Sequence, residues 1–298
     1  MFVKQPQLHH LTEAIREGYG QGRGDRYRTF LPVRRGRSSK VSYQHLVHLP
    51  VRRPNVHLMS KLEYRIALPA CWLQPLELRE GFPLWPVSHR HPNYGWNPEL
   101  DASLGYMPGL YELARQAGID HGFYVGTKLP YVATTDLVFL VRVEDTFRLV
   151  FISCKPSHVL KRSARARERV ELDRIYAAAA QSRHVVATEK DVNLMLCANL
   201  EWICPLRSEV IGYGDTAVLR DFARHLQSRL DKDPIEHAVA HASRSTVRDK
   251  ARAHQFFRLA AWLGLIDIDL TKPLVMSEFA HLGGWNVRAS LAFKFWGV

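Results

Sequence analysis

Apolar residues fall along this chain in strand-length runs and helical stripes, separated by breaks rich in Gly, Pro and charge. Leu62 and Ile66 stand four apart behind Ser60, which predicts a helix to about Leu68 with Pro69 as its stop. Residues 76–86 (LELREGFPLWP) read as a strand and loop, and residues 108–117 as a helix before a glycine break. Two runs follow, TTDLVFLVRV (134–143) and RLVFISCK (148–155), both rich in β-branched and aromatic residues. The polar link EDTF between them suits a hairpin. Helical signal returns over 164–181, and VVATEKDV then reads as a further short strand. Helix, strand, hairpin, helix, strand is the order of an α/β core.

Beyond this the pattern breaks at 205–218 (PLRSEVIGYGDT). Helical windows follow at about 216–230, 235–242 and 246–264, the last closed by Gly264, and IDIDLTKPLVM (266–276) reads as a short β pair. Short helices followed by a β pair predict a mainly helical, winged-helix-like module. The expected division is therefore a basic N-terminal arm plus α/β core over 1–204, and a second domain over 205–298.

Composition adds the partner. Of 298 residues, 41 are Lys or Arg against 29 Asp or Glu, a formal charge of +12 with Arg in excess of Lys. Arg grips phosphate through a planar fork, so this balance points to nucleic acid, with a basic but solvated surface as the plain alternative. The Gly- and Arg-rich opening (GYGQGRGDRYRTF, then RRGRSSK and VRRPN) reads as a phosphate-tracking arm or a solvated terminus. Four Cys without CxxC pairing fit a reducing cytoplasm, and neither a secretory leader nor a membrane-length apolar run is present. The fifteen His, densest at His9–His10 and His89–His91, lack the Cys partners of a zinc site.

Chemistry concentrates at the hairpin. With Asp145 and Thr146 as its turn, Asp136 faces Lys155 and Val138 faces Ser153, on one face of the ladder with Cβ atoms about 5 Å apart. In a Mg²⁺-dependent nuclease, Asp136 ligates the cation and the Cys154 carbonyl adds an oxygen. Lys155 orients or activates water at the scissile phosphate, and Glu63 on the upstream helix is the second carboxylate. Each has a structural counterpart. Asp136 with Lys155 is also a cross-strand ion pair. Ser60-x-x-Glu63 is also a capping box. Glu168, Glu171 and Asp173 read as a solvated helix face, with a place for one of them in the site's lining as the alternative.

The wording of the sequence then adds a family. EGYGQGRGDRYRTFLPVRR (17–35), HLMSKLE (57–63), LELREGFPL (76–84), ELARQAGIDH, TTDLVF, the strand ending in CKP, and RERVELDRIYAAAAQSRHVVATEKDV (167–192) occur in order over residues 10–195. This series resembles the TnsA endonucleases of heteromeric bacterial transposons. The resemblance implies a restriction-endonuclease-like PD-(D/E)xK core, a mixed sheet flanked by helices, with Glu63, Asp136 and Lys155 at the catalytic positions. It implies Mg²⁺, with Mn²⁺ substituting, and cleavage of double-stranded DNA at the 5′ ends of a transposon. It further implies a DDE-type transposase as partner, an AAA+ ATPase regulator meeting the C-terminal domain, and a bacterial, nucleoid-associated setting. Arg23, Arg28, Lys161 and Arg162 are candidate DNA contacts. His121 falls where the family often has His, in a structural or DNA-facing role. Ser153 departs from the family's Gln two residues before the Lys, and residues 85–107 fit the pattern poorly. A stand-alone restriction-like nuclease and a non-catalytic assembly subunit remain the other readings.

Overall fold

The computed structural model describes residues 6–33, 44–50 and 55–298; the basic run 34–40 and residues 51–54 lie outside the described residues. In chain order the elements are α1 (Pro6–Arg16), β1 (His45–Val47), β2 (Val56–Leu58), α2 (Lys61–Trp72), β3 (Glu77–Leu84), β4 (His89–Arg90), α3 (Pro98–Ser103), β5 (Tyr106–Met107) and α4 (Leu110–Gln116). They continue with β6 (Ala133–Val143), β7 (Thr146–Cys154), α5 (Ser157–Arg162), α6 (Ala164–Ala179) and β8 (Arg183–Ala187). Last come α7 (Leu194–Ile203), α8 (Arg207–Tyr213), α9 (Ala217–Gln227), α10 (Ile235–Ser245), α11 (Lys250–Leu263) and α12 (Gly284–Trp296).

The chain forms two compact units. One comprises residues 1–47, 55–64 and 76–191, and the other 48–54, 65–75 and 192–298. The first is built on a mixed sheet of order β3-β6-β7-β8, antiparallel except for the parallel β7–β8 pair. A parallel pair needs a crossover, and α5 and α6 supply it. β6 lies between two neighbours, and its central run Leu137–Val141 is apolar and buried throughout, as a strand covered on both faces requires. Phe82, Val138, Phe151, Leu172 and Tyr176 meet in the core beneath α6. Ser163 caps α6 by accepting from the Ala166 N–H at 3.1 Å. This is the mixed α/β core that the order of elements predicts.

The hairpin register differs from expectation. Its turn is Glu144–Asp145, so Val143 pairs with Thr146, Val138 with Phe151 and Leu137 with Ile152. Glu144 adopts φ +53°, and the Thr146 hydroxyl donates to the Val143 carbonyl at 2.9 Å, closing the loop one residue earlier. Each partner therefore shifts by two positions. Side chains alternate with period two, so an even shift leaves every residue on its expected face. Asp136 and Lys155 become diagonal rather than direct neighbours.

The second unit is helical among its described residues. α9 buries Leu219, Phe222, Ala223 and Leu226 at helical spacing. Three expectations change here. Pro69 does not stop α2, which continues to Trp72. Proline lacks the N–H that would reach the Arg65 carbonyl, and the Cys197 thiol donates to that carbonyl instead at 3.6 Å. Burial of Ile66, Leu68, Ala70 and Trp72 holds the turns on either side. The predicted break at 205–218 contains α8, whose start is capped by Glu209 accepting from the Leu206 N–H at 2.6 Å. Finally, 266–276 forms no β pair. Asp269 bonds both the N–H and the hydroxyl of Thr271, and Asn199 takes the Leu270 and Lys272 carbonyls, so these groups are committed to turns.

Candidate active site

The first turn of α2 presents Glu63. Its two oxygens accept from the Met59 N–H at 2.7 Å and the Ser60 hydroxyl at 2.9 Å, while the Ser60 oxygen accepts from the Glu63 N–H at 3.1 Å. The capping reading of Ser60-x-x-Glu63 thus holds. The carboxylate is nonetheless only 7% exposed and feels the charge of a second one. Burial, and then the charge of Asp136, push its pKa up to about 8, although Met59, Ser60 and Lys155 pull the other way.

Asp136 stands near the start of β6. Its Oδ2 accepts from the Cys154 N–H at 2.7 Å and from Lys155 Nζ at 2.6 Å. Lys155 follows the end of β7, where its N–H donates to the Ala187 carbonyl on β8 at 2.9 Å. That bond fixes its backbone at the open end of the sheet. Nζ also reaches the Cys154 carbonyl at 3.3 Å. Burial disfavours the ammonium, but Asp136 more than offsets it and the Lys155 pKa is raised. The group stays protonated at neutral pH. Burial raises the Cys154 thiol well above its usual range, so Cys154 contributes backbone and not a thiolate.

The structure therefore brings together Glu63, Asp136, Lys155 and the Cys154 carbonyl. Two carboxylates and a carbonyl are a hard oxygen set, and mutual repulsion between carboxylates is what a divalent cation relieves. Among the described residues, no group of three or more His, Cys, Asp or Glu side chains gathers as a metal cage. Mg²⁺ suits such a sparse set, since it keeps several waters and uses one or two carboxylates plus substrate phosphate.

The four candidate DNA contacts lie elsewhere. Arg23 is mostly buried, with its guanidinium 2.8 Å from Glu77. Arg28 is exposed and donates to the Glu17 carbonyl at 2.8 Å. Lys161 and Arg162 are exposed in the last turn of α5. His121 is buried, with Nδ1 3.0 Å from the Gly122 carbonyl.

Sequence reasoning missed one part. Asp173 is not on a solvated face but buried, while Glu168 and Glu171 are surface partners of Arg165 and Arg174. The Asp173 carboxylate accepts from the Ser153 hydroxyl at 2.6 Å and lies 2.6 Å from Arg169. Ser153 also contacts His184 Nε2 at 2.9 Å. Burial raises Asp173 and drives His184 down to about 4, so His184 is neutral. Asp173 shares the α6 face of Leu172, Tyr176 and Ala177, and an acid on that apolar stripe was the available signal.

A mixed sheet flanked by helices, with a helix-borne carboxylate beside an Asp–Lys pair at its open end, is compatible with the restriction-endonuclease-like class of α/β proteins. The chain is 30% identical over 227 residues to the transposon Tn7 transposition protein TnsA of Escherichia coli, covering 76% of this chain and 73% of that protein. It belongs to the TnsA family. No protein-family model matches it. No helix among the described residues is long and apolar enough to cross a membrane.

Proposed function

We propose that this protein is a Mg²⁺-dependent DNA endonuclease that hydrolyses phosphodiesters at the 5′ ends of a transposon, working with a DDE-type transposase. The observation that carries this reading is Asp136 held 2.6 Å from Lys155, with the buried Glu63 within electrostatic reach of both. The relative's role as a transposition protein supports the biological setting.

Glu63, Asp136 and the Cys154 carbonyl hold the cation. A bound Mg²⁺ supplies Lewis acidity at the phosphate and lowers the pKa of a coordinated water. Lys155 is the cation that Asp136 keeps charged, so it donates to the attacking water or a phosphate oxygen and offsets charge there; it does not serve as the base. Mn²⁺ substitutes, having the same preference for oxygen. Double-stranded DNA is held by basic residues that include Arg28, Lys161 and Arg162. Residues 205–298 are the partner domain, and an AAA+ ATPase is its regulator.

The test is strand-specific cleavage of a labelled transposon end in Mg²⁺, with and without the transposase, comparing wild type with Asp136→Ala. Nicking at the 5′ end should fall about a thousandfold in the variant, the loss expected for roughly 4 kcal/mol of transition-state stabilisation. DNA binding without any cut, unchanged by Asp136→Ala, would instead establish the non-catalytic assembly subunit. Cutting that needs no transposase would favour a stand-alone nuclease.

A further inference from the structure

The glycine-rich opening is not used by the proposed active site, yet it is folded with care. Gly18, Gly20, Gly22 and Gly24 all take positive φ, from +53° to +84°, at alternate positions. A Cβ on Gly20 would meet Pro83 at 2.5 Å. The loop is anchored by the Gly24 N–H donating to Glu77 at 2.5 Å and by Arg23 bonding both Glu77 oxygens. Among the described residues, the N–H groups of Gly22 and Arg23 donate to nothing.

This loop walls a cavity of about 780 Å³ within the first unit. Arg23, Arg26, Arg79 and Arg90 line it, and no Asp or Glu does among the described residues. Arg79 is the telling member. It is only 3% exposed, shares the one carboxylate of Glu77 with Arg23, and its second terminal nitrogen is buried without a hydrogen-bond partner. A buried guanidinium left part-satisfied calls for an anion. The free N–H groups of Gly22 and Arg23, both of which line the cavity, are further donors for the same charge. The remaining wall is aromatic. Tyr94 is exposed beneath the Arg90 guanidinium at 4.3 Å, and the half-buried Trp85 continues the wall. Flat apolar rings beside a cationic floor suit a nucleobase attached to its phosphate.

We propose that this cavity is a binding site for a nucleoside phosphate, with the phosphate on the arginines and glycine loop and the base against Tyr94 and Trp85. The chemistry is shared by two sources, a free mononucleotide and the unpaired 5′-phosphorylated end of a DNA strand. The site stands apart from the metal-binding carboxylates, so it does not depend on the endonuclease reading.

Titration calorimetry on the full chain without divalent cation tests it. The probes are 5′-dAMP, deoxyadenosine, inorganic phosphate and a 5′-phosphorylated single-stranded pentanucleotide. Arg79 is too deeply packed for a clean substitution, so the rim variants Arg26→Ala and Arg90→Ala, made singly and together, are compared with Arg142→Ala, which removes an exposed charge at the hairpin turn. One-site binding that weakens about tenfold in the double rim variant and stays unchanged in Arg142→Ala is expected, the loss typical of charge-assisted contacts to phosphate. Binding of 5′-dAMP would assign a free nucleotide, and binding of the pentanucleotide alone would assign a strand end. Failure of both probes, equal weakening by Arg142→Ala, or inorganic phosphate binding as tightly as 5′-dAMP would overturn the proposal. Asp136→Ala should leave these isotherms unchanged, which separates this site from the proposed cleavage site.

Discussion

Glu63 is one carboxylate with two occupations, since it caps α2 and feels the charge of Asp136. Its folded pKa, near 8, lies above the unfolded carboxylate value. Its contribution to stability is therefore fully present below the unfolded value near 4.5 and is lost as pH rises through about 8. Glu63→Gln carries no such penalty. Melts of cation-free protein should show the variant's Tm gaining on wild type by about 5–10 °C between pH 6 and pH 9, since two pH units below a pKa near 8 correspond to about 3 kcal/mol. A gap that stays constant across that range would remove the buried-charge argument. Mg²⁺ should likewise raise the wild-type Tm more at pH 8 than at pH 6, because it competes with the proton for the same oxygens. Much of this site was legible in the residues. Asp136 and Lys155 close the two apolar strands, and Ser60 announces the cap. Asp173 was not, because a charged residue on a helix is ordinarily solvated, and only tertiary burial gave it Ser153 and Arg169 as partners.

At the scale of elements, strands and long helices followed their periodicity, while the errors fell on termini and turns. The hairpin turn moved because Glu144 accepts a positive φ that its side chain does not advertise. α8 and α12 were hidden by Gly-flanked, weakly patterned sequence, and α2 passed its proline because tertiary packing outweighed one lost bond. The end of α11 was read correctly from Gly264, which takes φ +71°. A Cβ there would lie 2.7 Å from Arg288 Nε, on a side chain that donates to the Trp262 carbonyl and lies over Trp72. Gly264→Ala should cost about 1–2 kcal/mol in urea unfolding, through the left-handed backbone and displacement of Arg288. A neutral result would mean that Arg288 moves freely.

For the molecule as a whole, charge is the governing quantity. With +12 formal charges, nonspecific DNA affinity should fall steeply with salt. About six phosphate contacts would reduce it roughly a thousandfold between 50 and 200 mM NaCl. Fluorescence anisotropy with a duplex gives the log–log slope directly, and a slope near zero would argue against phosphate-led binding. The composition foretold a basic chain, but it did not foretell that Arg23 and Arg79 would be turned inward around Glu77. Internal ion pairs have no signature in a residue count.

The bond between the Cys197 thiol and the Arg65 carbonyl gives the second unit a built-in stopwatch. The thiol is buried, and burial pushes it up to about 11, so a maleimide or disulfide reagent meets almost no thiolate while the helices stay closed. Labelling must wait for α7 to part from α2, and its rate counts those openings at ambient temperature and without denaturant. In a Cys204→Ser background, which removes the more accessible thiol, the lag before alkylation of Cys197 becomes a direct clock on how often the proline-interrupted helix lets go.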